Sequence, residues 1–516
     1  MSTTTTVTEP SLLEDTSLEE IPKIHSKLVS TFRSNKTLPL EFRLDQIRKL
    51  YYGILDNKAT LLDAVYQDFH KPPQETFIAE LSMALNECVD FVDNLTSWAK
   101  PKQLSTSLTW KAMRPSVRYN PMGTVLIVVP FNYPLQLALV PLIGALAAGN
   151  TVLLKLSELT PHTSSALARL VRTHLDNSVV DIVLGALPQS RAVTQLKYDL
   201  VFFTGSSRVG AMVAEEAGRR LTPVVLELGG KSPTFVLDEH NLALVAKRIV
   251  YGRFINGGQT CIAPDYLLVK RGIEKKLVPE IKKQLAVLFG EVISKDSKDY
   301  AHIVSDGAYK RIKTLIDETK GEVVIGGTKT ADVESRFIEP TVVLNPPVDD
   351  STMVDEIFGP VLPIVLIDSV EQGIDYVRDN HSHPLALYVF SQDRAEIEKI
   401  HQQVSAGSGM VNGTLIHVGD SSVPFGGVGQ SGIGAYHGKN SFETFSHKYA
   451  FMTEPFWTEF ATAIRYPPYT WKRISLFEKG MTKTAAFPRE GPIPTTFVGR
   501  LFFRLGSLFR GGKAKL

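Results

Sequence analysis

Cysteine is nearly absent: the 516 residues hold two, Cys88 and Cys261. Two thiols build neither a disulfide framework nor a cysteine-rich zinc site. The chain therefore suits a reducing compartment, and any thiol chemistry rests on one residue. A dominant charge is missing too, since 56 Lys and Arg stand against 54 Asp and Glu. A net charge of +2 supplies no global field for gathering nucleic acid. No HExxH or CxxC spacing points to a metal. The N-terminus carries no basic residue before Lys23, unlike a signal or transit peptide. The most apolar stretch, residues 123–154, has the length of a bilayer span. Pro130, Asn132, Pro134 and Pro141 interrupt it, so it reads as strand, turn, helix and strand.

What is present is an ordinary globular composition, 43% hydrophobic and 21% charged. The length predicts roughly two to four domain-sized units. Ser17-Leu18-Glu19-Glu20 fits a capping box opening a helix. Residues 17–100 read as mostly helical, with Ile47, Leu50, Tyr51 and Ile54 recurring at helical spacing. From residue 121 the pattern changes. Short β-branched runs at 124–129, 151–154, 200–203 and 223–226, then at 234–237, 266–269 and 364–367, alternate with stretches mostly long enough for crossover helices. That alternation predicts two parallel α/β domains in series, dividing near Gly229-Gly230.

Cys261 follows Asn256-Gly257-Gly258-Gln259-Thr260. Its glycine-rich, polar flank gives a reactant access, and nearby backbone N–H groups would lower the thiol pKa. Cys88 sits in ordinary helical sequence and reads as structural. Glu227, between Leu226 and Leu228 at a strand end, is expected to have a raised pKa suited to a general base. Pairing with Lys231 or exposure to solvent are its plainer alternatives. Asn132, directly after an apolar strand, is either an oxyanion donor or a turn-forming residue between prolines. Lys155 and Glu158 follow a strand and either hold ribose hydroxyls or form a solvated charge pair. Phe202-Phe203-Thr204-Gly205-Ser206-Ser207-Arg208-Val209-Gly210 is a strand entering a turn and then a helix. There Gly205 permits close approach and the helix start offers N–H groups to an anion.

These motifs occur in one order with Glu356-Ile357-Phe358-Gly359-Pro360 and Pro424-Phe425-Gly426-Gly427. The ordered set resembles the aldehyde dehydrogenase superfamily from about Arg43 to Tyr469. It looks most like the fatty-aldehyde, class 3 branch, through residues 258–266, 432–439 and 465–469. The resemblance implies Cys261 as nucleophile, Asn132 with the Cys261 N–H as oxyanion hole, and Glu227 as the base that activates water. It implies that Lys155 and Glu158 hold the adenosine ribose, that Ser206 holds the pyrophosphate with Gly205 and Gly210 also at the cofactor, and that Glu356 and Phe358 lie at the nicotinamide ribose and ring. NAD is the expected cofactor, with NADP admitted. Leu156 departs from the proline common among relatives. The implied fold has a nucleotide-binding domain (1–100 and 121–229), a catalytic domain (230–430), an oligomerisation hairpin (101–120 and 440–455) and a C-terminal extension (456–516), assembled as a homodimer. An acylating enzyme using coenzyme A, and a non-enzymatic membrane-bound interaction protein, are the rival functions.

The last twenty residues carry Arg500, Arg504, Arg510, Lys513 and Lys515 and no acid. Val498, Leu501, Phe502, Leu505, Leu508 and Phe509 share one helical face. This predicts a basic amphipathic helix at a membrane interface, carrying an enzyme for membrane-borne fatty aldehydes; a helix docked on the protein body is the alternative. Ala514-Lys515-Leu516 is a near variant of the Ser-Lys-Leu peroxisomal address. The cytosolic face of the endoplasmic reticulum, or another organelle membrane, is the alternative location.

Overall fold

The computed structural model describes residues 12–475, 485–488 and 491–509. Its backbone divides into two compact units, one of residues 1–100 and 119–448, the other of residues 101–118 and 449–516.

The first unit opens with helices. Ile21–Arg33 starts with Pro22 in its first turn and buries Ile21, Ile24 and Leu28 along one stripe. The Ser17 hydroxyl accepts from the Glu20 amide at 3.3 Å. The turn that reads as a capping box therefore precedes the helix rather than opening it. Leu40–Asp56, Lys58–Phe69 and Ser82–Trp98 follow, the last preceded by a π-helical turn, Phe77–Leu81. Cys88 is buried on Ser82–Trp98, and burial pushes its thiol pKa up.

Two sheets with the helices between their strands form most of the rest of this unit. The first has the spatial order 432–433, 224–228, 200–205, 124–128, 151–155, 180–183. All its neighbours are parallel except the short strand Gly432–Ile433. The chain starts at Thr124–Val128, builds outward through Thr151–Lys155 and Val180–Val183, then returns to the other side with Leu200–Gly205 and Val224–Leu228. The strand order therefore reverses between Thr124–Val128 and Leu200–Gly205, which opens a crevice at their carboxyl ends. The helix Gln136–Ala148 is buried along its whole length, Pro141 included. Residues 123–154 thus form strand, helix and strand, as the interrupted apolar run predicts.

The second sheet has seven strands, in the order 322–325, 341–344, 361–367, 266–270, 233–236, 386–390, 408–411. Only the edge pair Glu322–Ile325 and Thr341–Leu344 is antiparallel. Its central strands are buried on both faces, which is why they read as continuous apolar runs. A third, three-stranded sheet joins Lys102–Gln103, Ser116–Pro121 and Ser446–Phe451.

In the second unit, Phe497–Phe509 is a helix. Phe497, Val498, Leu501 and Phe502 on it are exposed. Arg510, Lys513, Lys515 and the terminal tripeptide lie outside the described residues. No helix among the described residues is long and apolar enough to cross a membrane.

Candidate active site

Thr204 and Glu227 of the first sheet meet Cys261, Tyr133 and Tyr436, from the segments between strands, at one apolar cavity of about 240 Å³. Cys261 sits between the helix Leu242–Phe254 and the strand Tyr266–Lys270. The intervening chain turns through left-handed backbone at Asn256, Gly257 and Gly258. Gly258 is required there: at φ +74 an added Cβ would lie 2.3 Å from the Gly359 carbonyl oxygen.

A hydrogen-bonded cluster holds this turn. The Asn256 side chain donates to the carbonyls of Asn132 (2.8 Å) and Gln259 (3.1 Å). The Gln259 amide donates to Asn256 O and His302 O and accepts from Val304 N, all at 3.0 Å. Asn132 is buried, and its Nδ2 donates to Gln259 O at 3.1 Å. One of its two N–H groups is thus used on the cysteine loop, leaving the other for a ligand. The Tyr133 hydroxyl meets Thr260 Oγ1 at 2.7 Å.

Glu227 lies at the carboxyl end of Val224–Leu228 and is 3% exposed. Neither of its oxygens has a hydrogen-bond partner among the described residues. Burial alone pushes its carboxyl well above the usual range. Lys231 does not neutralise it. That ammonium bonds Asp265 at 2.6 Å and the Thr352 carbonyl at 2.7 Å. Arg253 completes a buried cluster, bonding Asp265 at 2.8 Å and the Gly359 carbonyl at 2.5 Å. The cluster fixes the segment that carries Glu356 and Phe358.

Glu356 packs against Gly229, where a Cβ would fall 2.0 Å from its Oε2. Its carboxyl is raised to about 8, by burial first and by Asp265 second, while the Gly230 amide opposes the shift. Phe358 adopts φ 48 and meets the Phe131 ring edge-on at 5.7 Å. A phenylalanine in left-handed backbone is a strained residue held by its surroundings.

The remaining candidates line the carboxyl ends of the first sheet. Lys155 is buried; its Nζ donates to the Leu156 carbonyl at 2.6 Å and lies 3.5 Å from the half-exposed Glu158. Burial lowers its pKa. The Leu156 amide donates to Val183 O at 3.3 Å, a bond that the proline common at this position could not make. Ser206 caps the helix Ser207–Gly218, accepting from the Val209 amide at 3.5 Å. Gly210 is buried under Leu228. Asn132, Lys155, Gly205, Ser206 and Glu227 all fall at or just beyond strand ends flanking the reversal in strand order, where open α/β sheets bind dinucleotides.

The profile of the Aldehyde dehydrogenase family matches residues 6–450. The chain belongs to this family. It is 38% identical to the beta-apo-4'-carotenal oxygenase of Neurospora crassa, across 97% of this chain and 93% of that one. It is 38% identical to the fatty aldehyde dehydrogenase of Saccharomyces cerevisiae (88% and 86% covered). It is also 38% identical to the dimeric, NADP-preferring aldehyde dehydrogenase of Rattus norvegicus (85% and 95% covered). The solved substrate-bound state of AldH from Staphylococcus aureus superposes with a TM-score of 0.85 at 36% identity, covering 89% of this chain and 99% of that one. The fold is accordingly that of an aldehyde dehydrogenase, and the cofactor is a nicotinamide dinucleotide.

One expectation for this aldehyde dehydrogenase is overturned. The Cys261 thiol does not have a lowered pKa. Burial, with the Glu356 and Glu227 carboxyls nearby, pushes it up, and the N–H groups of Cys261 and Ile262 only partly oppose this. The glycine-rich flank signals backbone access, but it does not reveal which carboxyls fold against the sulfur. Sequence reasoning also missed Arg253, whose partners are the Asp265 carboxylate and the distant Gly359 carbonyl, and named Asn256 only in the flank of Cys261. It named Asp265 and His437 only inside matching motifs. For Asp265, a carboxylate in an apolar stretch was the one available signal.

Proposed function

We propose that the protein oxidises medium- to long-chain aliphatic aldehydes to carboxylic acids, with NAD preferred. The carrying observation is the pairing of Cys261 with a buried, partnerless Glu227 in one apolar cavity. Ile78, Leu137, Ile255, Ile262 and Leu415 line that cavity, which suits a hydrocarbon chain.

Cys261 loses its thiol proton to water, its thiolate Sγ adds to the aldehyde carbon, and the free Asn132 N–H with the Cys261 N–H receives the developing oxyanion. A nicotinamide cofactor, when bound, supplies the hydride acceptor. Lys155 and Glu158 would hold its adenosine ribose, Gly205, Ser206 and Gly210 its pyrophosphate, and Glu356 and Phe358 its nicotinamide end. The acyl group remains on Cys261 as a thioester. Glu227, once its own proton has passed to solvent, takes a proton from water, whose oxygen adds to the thioester carbon, displaces the sulfur and releases the acid. A carboxyl raised by burial is matched to that task. Because this base is present, hydrolysis is favoured over transfer to coenzyme A. Glu158 disfavours a phosphorylated ribose, and its contact with Lys155 softens that exclusion, so NADP is admitted as the weaker cofactor.

The yeast relative's name supports a fatty aldehyde. The Neurospora relative favours a second reading, a carotenoid-derived aldehyde, because it aligns with nearly the whole chain. A kcat/KM series from about C2 to C18, with an apocarotenal alongside, tests both. We expect gains of ~1 kcal/mol per buried methylene up to the cavity's limit. A series flat in chain length would overturn the aliphatic reading. Preference for the apocarotenal over every straight chain would install the second.

The tail helix, with its exposed Phe497, Val498, Leu501 and Phe502, would hold the enzyme at a membrane surface where such aldehydes partition. We assign the assembly as a homodimer through the hairpin of residues 101–120 and 440–455, and the compartment as the peroxisome.

A further inference from the structure

We propose that the catalytic cavity continues into a hydrogen-bonding subsite that takes a neutral hydroxyl group at the far end of the aldehyde's chain. The inference deepens the dehydrogenase reading and rests on it. A second cavity, of about 510 Å³, adjoins the first and shares Met83, Val418, Gly419 and His437 with it. The two differ in chemistry. The first is apolar around Cys261; the second is lined by Asn86, Glu87, Asp90, Asp420, Ser421 and Ser422.

His437 stands where they join. It is 3% exposed, and its Nε2 has no hydrogen-bond partner among the described residues. Its ring stacks on Phe425 at 5.6 Å and meets Tyr436 edge-on at 4.5 Å, so it is held from both sides. Its backbone is left-handed, at φ 82. The next amide, of Gly438, donates to Glu87 Oε1 at 2.7 Å, which ties the imidazole to the wall of the second cavity. A buried imidazole nitrogen without a partner is costly unless a ligand satisfies it.

Three ligand chemistries can be told apart. A methyl terminus leaves Nε2 unsatisfied. A carboxylate terminus cannot donate, and it meets the Asp90 and Asp420 carboxylates. A hydroxyl both donates and accepts, so it serves His437 in either tautomer and Glu87 as well. Burial holds the imidazole neutral, with its pKa lowered to about 4, and raises the Glu87 carboxyl to about 8. Both groups are therefore uncharged near neutrality and suit a neutral partner.

The test compares kcat/KM for matched unsubstituted, ω-hydroxy and ω-carboxy aldehydes from about C8 to C18, using the full-length enzyme with its cofactor. The readout is the ratio within each matched set. At the chain length that reaches His437, the ω-hydroxy aldehyde should exceed its parent about three- to tenfold, the worth of one hydrogen bond, and the ω-carboxy aldehyde should fall below both. His437→Phe should return the hydroxyl ratio to about one, and Asp90→Asn should relieve the carboxylate penalty. Should His437→Phe fail to fold, the wild-type ratios and Asp90→Asn decide. A hydroxyl ratio at or below one at every length, or one unmoved by His437→Phe, would overturn the subsite alone. No turnover of any aldehyde would overturn the parent reading and the subsite with it.

Discussion

At the scale of single residues, the site holds its two reactive groups uncharged. Burial raises both Cys261 and Glu227, and among the described residues no cation contributes to either shift. Alkylation of Cys261 by iodoacetamide in the cofactor-free enzyme should therefore still be accelerating at about pH 9. A plateau near neutrality would show a thiolate that this geometry does not support. The residue types were legible because their local sequence is unusual: a cysteine behind two glycines, a glutamate between two leucines. Their electrostatics were not legible. The Glu356 carboxyl near the sulfur comes from a segment 95 positions away, and Lys231, four residues from Glu227, turns to Asp265 instead.

At the scale of elements, the central parallel strands were readable because burial on both faces gives them unbroken apolar runs. The edges were not. Glu322–Ile325 buries no residue and is apolar over only three positions, and Ser408–Val411 contains Gly409 and alternates in burial, so neither carries that signal in full. The π-helical turn Phe77–Leu81 is equally silent in sequence, yet it positions Glu80. There the carboxylate bonds Lys71 at 2.7 Å and the Leu135 amide at 2.8 Å, at the start of the buried helix Gln136–Ala148. The helix Ser82–Trp98 carries a testable cost. Burial raises Glu87 to about 8, with the Gly438 amide opposing it. The folded state thus holds a proton that the unfolded chain releases near the ordinary carboxylate value. Stability from this group is full below about pH 4 and declines by ~1.4 kcal/mol per pH unit until about pH 8. Glu87→Gln keeps an acceptor for Gly438 and should flatten that decline in urea titrations at pH 5 and 8. An unchanged pH dependence would refute the raised pKa.

At the scale of the whole molecule, composition conceals the tail. A balance of +2 includes five uncompensated positive charges in the last twenty residues. Removing residues 497–516 should abolish co-sedimentation with anionic vesicles, and binding of the intact chain should weaken with salt. Equal binding by the truncated chain would contradict a membrane role for the tail. The order of motifs along the chain made the family readable. The convergence of those motifs is a property of the fold, since Asn132 follows one strand of the first sheet and Glu227 ends another, while Cys261 leads into the second sheet. The central claim is that these three act on one acyl group. Its most direct test is intact-protein mass spectrometry of Glu227→Gln mixed with NAD and a long-chain aldehyde. The account predicts one burst of NADH and an acyl adduct that maps to Cys261 and persists because hydrolysis lacks its base. Normal turnover without an adduct, or an adduct on another residue, would contradict it.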